Sequence, residues 1–275
     1  MALLRTSSRP SLVRHLVAGV ALAAAGASIA ASQPIAVERP ISERTPFDAA
    51  VNALGMERGI QRTQRSINTI FYVAHGALRL ARAGETPRVR TVSGVTVSIS
   101  YHLPAIRVDA EWVDGGDSVR VVQVARGDLA WDETSPGVGA SSTADEVAAR
   151  LEHVWLTPHG ALRAMVEARA TQKEAVTVSR EGGVVVLTMN WHGAPLRVEL
   201  DGDQRPERLV WSKGAQEVEV KYSDYHDWEI LDVYFPRRIV QTVGGDVTLD
   251  LTVTDFRSNP YVVFPEPASL RRVEP

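Results

Sequence analysis

The segments Pro195-Leu-Arg-Val-Glu-Leu200, Glu217-Val-Glu-Val-Lys-Tyr222 and Asp246-Val-Thr-Leu-Asp-Leu-Thr-Val253 decide the fold class. In each, apolar residues alternate with charged or hydroxyl-bearing ones, the period of two that gives a strand one dry and one wet face. Leu196, Val198, Leu200, Val218, Val220, Tyr222, Val247, Leu249, Leu251 and Val253 are therefore expected on one dry side. Around these segments, strands are expected at 174–180, 183–190, 207–213 and 234–243, with glycine-bearing turns such as Gly182-Gly183 and Gly244-Gly245 between them. The short spacing of these signals reads as an antiparallel meander rather than parallel crossovers. No cluster within it looks built for chemistry, which points to a binding surface.

Upstream, strands are expected at 66–73, 89–101, 105–113 and 118–126, with Val95, Val97, Ile99 and Tyr101 sharing a face. Two consecutive helices interrupt the strand pattern. Thr143-Ala-Asp-Glu146 matches a capping box and predicts a helix over 142–156 with Val147, Leu151, Val154 and Trp155 as its stripe. Thr157-Pro158 predicts the start of a second helix running to about Arg169, with Leu162, Met165 and Val166 facing inward. Their apolar stripes need a partner, and the dry face of the sheet is the surface available. A shorter helix is predicted over 46–55, capped by Thr45 and closed by Gly55.

The first thirty residues read as an export leader, with Arg5, Arg9 and Arg14 ahead of an apolar run from Leu16 to Ala30. Cleavage near Ala30 would leave 27 basic residues against 33 acidic ones, a balance that disfavours nucleic acid as a partner. The chain has no cysteine, so an exported domain must hold itself together by its core alone. The expected organisation is a signal peptide over 1–30, an extended segment over 31–44, one β-rich domain over 45–265 and a tail over 266–275. The protein is expected in the periplasm or secreted.

Candidates for chemistry are weak. His153 and His159 flank the helix junction at a spacing that matches no metal motif, and His75, His102, His192 and His226 are isolated. No nucleophile elbow, phosphate loop or dinucleotide fingerprint occurs. Asp132 and Glu133 beside Trp131 suggest a carboxylate pair, but adjacent strand residues point to opposite faces. The acidic turns at Asp114–Asp117 and Asp201–Asp203 read as hairpin turns, and Asp224 as a cap for turn amides. Arg237 and Arg238 are expected on opposite faces, where one could meet a lipid headgroup and both could simply be solvated.

The order of leader, strands, helix pair and long meander, together with Trp155-Leu-Thr-Pro-His-Gly-Ala-Leu162, Tyr222-Ser-Asp-Tyr225, Tyr234-Phe-Pro-Arg-Arg-Ile239 and Leu249-Asp-Leu-Thr-Val-Thr254, resembles the LolA/LolB-type lipoprotein-carrier family over about residues 45–260. The chain departs from it in a longer strand region before the helices and in the loops Val113–Asp117 and Asp132–Gly139. The resemblance implies an α+β, β-rich fold: a single curved antiparallel sheet, an unclosed half-barrel, whose concave face is covered by the helix pair. It further implies a non-enzymatic carrier or sensor, without cofactor or metal, whose ligand is a lipid or acylated protein. By the same resemblance Val97, Ile99, Val108, Leu196, Val198, Val218, Val220, Tyr222, Leu249 and Leu251 would line the cavity, with Leu151, Trp155, Leu162, Met165 and Val166 as its lid. An acyl chain entering such a cavity gains about 0.8 kcal/mol per buried methylene. Entry would require the lid helices to swing, an envelope protein would deliver or receive the ligand, and a monomer is expected. The competing readings are an envelope structural or interaction module whose half-barrel is filled by its own side chains, and a hydrolase with a dispersed histidine site.

Overall fold

Thirteen strands form one antiparallel sheet in the computed structural model, which describes residues 44–58, 63–81 and 85–270. The expected leader and nearly all of the extended segment after it lie outside the described residues. The first six strands are β1 (Thr69–Leu80), β2 (Arg88–Ser100), β3 (Ala105–Asp114), β4 (Asp117–Arg126), β5 (Leu129–Glu133) and β6 (Ser141–Ser142). Helices α2 (Val147–Trp155) and α3 (Pro158–Thr171) follow; α1 (Pro46–Ala53) precedes them all. The second series is β7 (Val176–Glu181), β8 (Val184–Trp191), β9 (Ala194–Leu200), β10 (Pro206–Lys213), β11 (Gln216–Asp227), β12 (Tyr234–Val243) and β13 (Asp246–Ser258).

The sheet order is β6-β5-β4-β3-β2-β1-β13-β12-β11-β10-β9-β8-β7, so two sequential meanders are sewn together only where β13 pairs with β1. The helix pair is consequently the link between the two outer edges, β6 and β7. The sheet is curved, and α2 and α3 pack their buried side chains into the core on its concave side. The edges do not pair with each other, so the barrel stays unclosed.

The dry face is as the alternation predicts over most of its length: Val97, Ile99, Leu196, Val198, Val218, Val220, Tyr222, Leu251 and Val253 are all buried. Val247 is the exception. The β12–β13 register shifts between Gln241 and Thr242, so Leu249 pairs with Gln241 but Val247 pairs with Thr242. This bulge inserts Thr248 as an extra residue and reverses the alternation beyond it. Val247 turns out to solvent, and Thr248 is buried in its place. Opposite, on the wet face, cross-strand ion pairs such as Arg208 with Glu199 and Arg120 with Asp109 form the solvated surface.

Several boundaries differ from the sequence reading. β1 continues past Val73 to Leu80 through Ala74-His-Gly-Ala77, a stretch poor in strand formers. Its Gly76 has φ +139°, and a Cβ there would lie 2.1 Å from the Asp250 carbonyl oxygen, so the neighbouring strand's approach requires glycine. β5 and β6 are additional strands. The expected capping box does not form: the Thr143 hydroxyl is buried without a partner, and Glu146 turns its carboxylate to Arg150 instead of back to the helix start. A single 3₁₀ turn over Ala144–Glu146 begins the helix in its place. The Thr157 cap does form, its Oγ1 accepting from the Gly160 amide at 3.0 Å, and Thr45 likewise accepts from Asp48.

A second, small cluster lies on the outer face, where Ala105, Val122, Val124 and Trp131 are covered by Phe264 of the segment after β13. Asp132 and Glu133 do point to opposite faces. Glu133 sits on the outer side, where burial alone would raise its carboxyl, but hydrogen bonds from Trp131, the Gly137 amide and Arg107 outweigh burial and hold it below its ordinary range. Asp132 faces inward to Arg150. Among the described residues no helix is long and apolar enough to cross a membrane.

Candidate functional site

Beneath α2 the concave face is not filled. A cavity of about 380 Å³ lies between the helix face carrying Glu146, Ala149, Arg150 and His153 and a wall drawn from both meanders. Tyr72, Val97, Ile106 and Val108 line it from β1, β2 and β3; Val220, Ile239, Leu249 and Leu251 line it from β11, β12 and β13. It is partly open, its rim formed by Leu78–Ala81 and Pro87 at one hairpin end and by Val243 and Thr248 at the next. The volume and the few convergent polar groups fall in the range of small-molecule sites.

Of the residues expected to line a cavity, Val97, Val108, Val220, Leu249 and Leu251 do so. The others lie elsewhere in the core. Leu162, Met165 and Val166 are buried where α3 packs tightly on the sheet, and Ile99, Leu196, Val198, Val218 and Tyr222 are buried beneath the helices without reaching the cavity wall. Leu151 and Trp155 are half-buried against the core, Trp155 tilted over Tyr101 at 6.3 Å between ring centroids. The face of α2 that meets the cavity is its polar one. The reason is Arg150, whose guanidinium reaches past the helix to the carbonyls of Val124 at 3.2 Å and Trp131 at 2.8 Å and to the carboxylates of Asp132 and Glu146. A long charged side chain anchored in sheet carbonyls sets the roll of the helix. Ile106, Tyr72 and Gln241 were missed by the sequence reading; Ile106 shares the alternation of Val108 and was findable from it.

The helix junction is fastened to the sheet from both sides. The Tyr222 hydroxyl donates to the Leu156 carbonyl at 2.5 Å, and Tyr101 shares a hydrogen bond with Thr157 at 2.8 Å. Lys213 on β10 donates to Glu152 at 2.5 Å. These bonds fasten the junction while the cavity itself stays partly open.

Of the charged groups around the cavity, Arg150 and Glu146 pair with each other. Arg150 makes its hydrogen bonds within the protein; burial raises the Asp132 carboxyl, with Arg150 pulling the other way. At the rim, crowding by protein atoms and then the Lys213 charge hold the His153 imidazole below its ordinary range, an effect moderated by the solvent its side chain meets. Arg79 is exposed. The uncharged polar groups are Tyr72, Gln123, Thr157, Gln241 and Thr248. Thr248 Oγ1 accepts from Gln241 Nε2 at 3.2 Å and donates to the Gln241 main-chain carbonyl at 3.3 Å, which fixes the pair in the wall.

The histidines do not assemble. His159 is fully buried, stacked 6.0 Å from both Phe235 and Phe256. Its Nε2 faces the Leu54 carbonyl at 3.3 Å and must carry the proton, since a carbonyl only accepts; Nδ1 is left without a partner. Burial pushes this imidazole down to about 4. His192 packs against Trp191 and Trp211, and His226 against Trp228. Among the described residues no group of three or more histidine, aspartate or glutamate side chains is placed to hold a metal. Arg237 and Arg238 are both exposed, Arg237 lying over Trp228 and Arg238 paired with Asp250 at 2.9 Å. Asp224 has φ 56° and caps no amide among the described residues.

No protein-family model and no curated protein matches the chain.

Proposed function

We propose that this protein is an exported, non-catalytic carrier or sensor that holds an apolar, acyl-bearing ligand, a lipid or the acyl part of an acylated protein, between its curved sheet and α2. The observation that carries the reading is the unfilled, partly open cavity whose sheet-side wall is largely apolar, with a few uncharged polar groups. Each methylene moved from water to that wall contributes about 0.8 kcal/mol, so a chain of ordinary length would be held without any covalent chemistry. An envelope protein that delivers or receives the ligand would complete the cycle, in the periplasm or outside the cell.

The test is to purify the exported protein under mild conditions and compare its native and denaturing mass spectra. The reading predicts an acyl compound released in near-stoichiometric amount. A bare protein mass, with no uptake of an apolar dye, would contradict it. One observation favours a second reading, a structural envelope module: beneath α3 the sheet is filled by the protein's own side chains. That reading predicts the bare mass.

A further inference from the structure

The cavity is lined by more polar functionality than an acyl chain needs, and that functionality is uncharged. Tyr72 is nine-tenths buried, yet its hydroxyl has no protein partner among the described residues. Gln241 is equally buried; its amide N–H is committed to Thr248, and its side-chain carbonyl is left unpartnered. Gln123 reaches the same cavity from β4 and makes no side-chain hydrogen bond among the described residues. Tyr72 and Gln241 face one space from strands separated by β13, and Gln123 from the far side of β3 and β2. These polar groups have no protein partner among the described residues and open onto the cavity, where a bound molecule can pair them in place of water.

The charges point the same way. Arg150 is spent on Asp132, Glu146 and two sheet carbonyls, and Glu146 is closed by Arg150. A carboxylate drawn into the cavity would lose its water, and among the described residues lining it the one arginine not paired with a carboxylate, Arg79, is exposed, so its charge stays hydrated and screened.

Resting on the proposed carrier reading, we infer that the site selects an acyl chain bearing an uncharged hydrogen-bonding head, a hydroxyl or ester, over the same chain ending in a carboxylate. Tyr72 and Gln241 take the head: the phenol donates to an ester carbonyl or accepts from a hydroxyl, and the amide carbonyl accepts from a hydroxyl.

The test compares 1-monododecanoylglycerol with dodecanoate, which share a chain and differ in head charge, by calorimetric titration at a pH where the acid is fully ionised. The expected result is at least tenfold tighter binding of the glyceride. Tyr72→Phe and Gln241→Leu are each expected to weaken the glyceride about fivefold, the effect of one lost hydrogen bond, while leaving dodecanoate unchanged. Dodecanoate binding as tightly as the glyceride, and losing affinity in Arg79→Gln, would overturn the inference and leave the carrier reading standing. Failure of both ligands to bind the folded protein would overturn the two together. Retention of the glyceride preference in both cavity variants would show that these residues do not take the head.

Discussion

The two helices cross the same sheet and meet it in opposite ways. From Pro158 to Val166, α3 buries every residue but Ala164, while α2 buries only Arg150 and Val154. The difference is in what each helix places against its neighbours. α3 starts tight against the end of α2, where a Cβ on Gly160 would fall 2.2 Å from the Val154 carbonyl oxygen, and its Ala161, Leu162, Met165 and Val166 are buried. Its His159 then completes a ring cluster with Phe235 and Phe256. α2 is held instead by long polar side chains, Arg150 on one flank and the Glu152–Lys213 pair on the other. Side chains that reach to their partners keep the backbone away, and the space left is the cavity. One half of the concave face is a packed core, and the other is a site.

The comparison predicts that damage to the filled half is the more costly. Phe235 is fully enclosed, stacks on Phe256 at 4.4 Å and meets Tyr72 in a tilted contact at 5.3 Å. Phe235→Ala should lose about 3–5 kcal/mol in denaturant unfolding; a loss below about 1 kcal/mol would mean that this half is loosely packed. For the same reason Leu162→Asp, at a fully buried position on α3, should unfold the protein rather than report on a ligand.

His159 sharpens the contrast through pH. Its folded value, near 4, lies below the ordinary 6.5. Between those values the unfolded chain binds the proton and the folded one does not, so stability rises with pH across the window. The contribution is fully present above about 6.5 and is lost as pH falls toward 4, on the order of 3 kcal/mol in all. The check is a pH series of unfolding free energies for wild type and His159→Gln, in which the amide keeps a donor for Leu54. The variant's curve should be flatter in that window. Parallel curves would mean that the ring charges without cost.

On the open half the expected effects are small. Lys213 is half-exposed, and its pair with Glu152 should be worth about 0.5 kcal/mol. Lys213→Ala should therefore barely move the unfolding midpoint, whereas hydrogen exchange in α2 should quicken relative to α3. Equal protection of both helices would remove the distinction drawn between them.

How much of this was readable in the sequence follows from where local pattern decides. The dry face came from alternation, which fixes side-chain direction residue by residue, and it failed at Val247 because the Thr248 bulge reverses the alternation with no flag beyond the Gly244-Gly245 turn nearby. The two helices were legible from Thr157-Pro158 and from the stripe of α2. The roll of α2 was not, because Arg150 reaches partners on β4 and β5 that only the folded sheet brings beneath it. Hence Leu151 and Trp155 were expected at the cavity, and Ala149 and His153 stand there instead. Tyr72 was out of reach for a related reason: a single aromatic in a strand looks the same whether its hydroxyl meets a partner or an empty space.

The central claim is that the space under α2 admits an apolar ligand, and Ala149 gives the most direct access to it. The residue is exposed on the helix and lines the cavity, so Ala149→Phe should fill the space without disturbing the sheet. The decisive measurement is a titration of wild type and this variant with an apolar fluorescent dye, alongside their thermal unfolding. The account predicts one saturable site in the wild type, none in the variant, and unfolding free energies within about 0.5 kcal/mol of each other. Equal dye uptake by both folded proteins would contradict it.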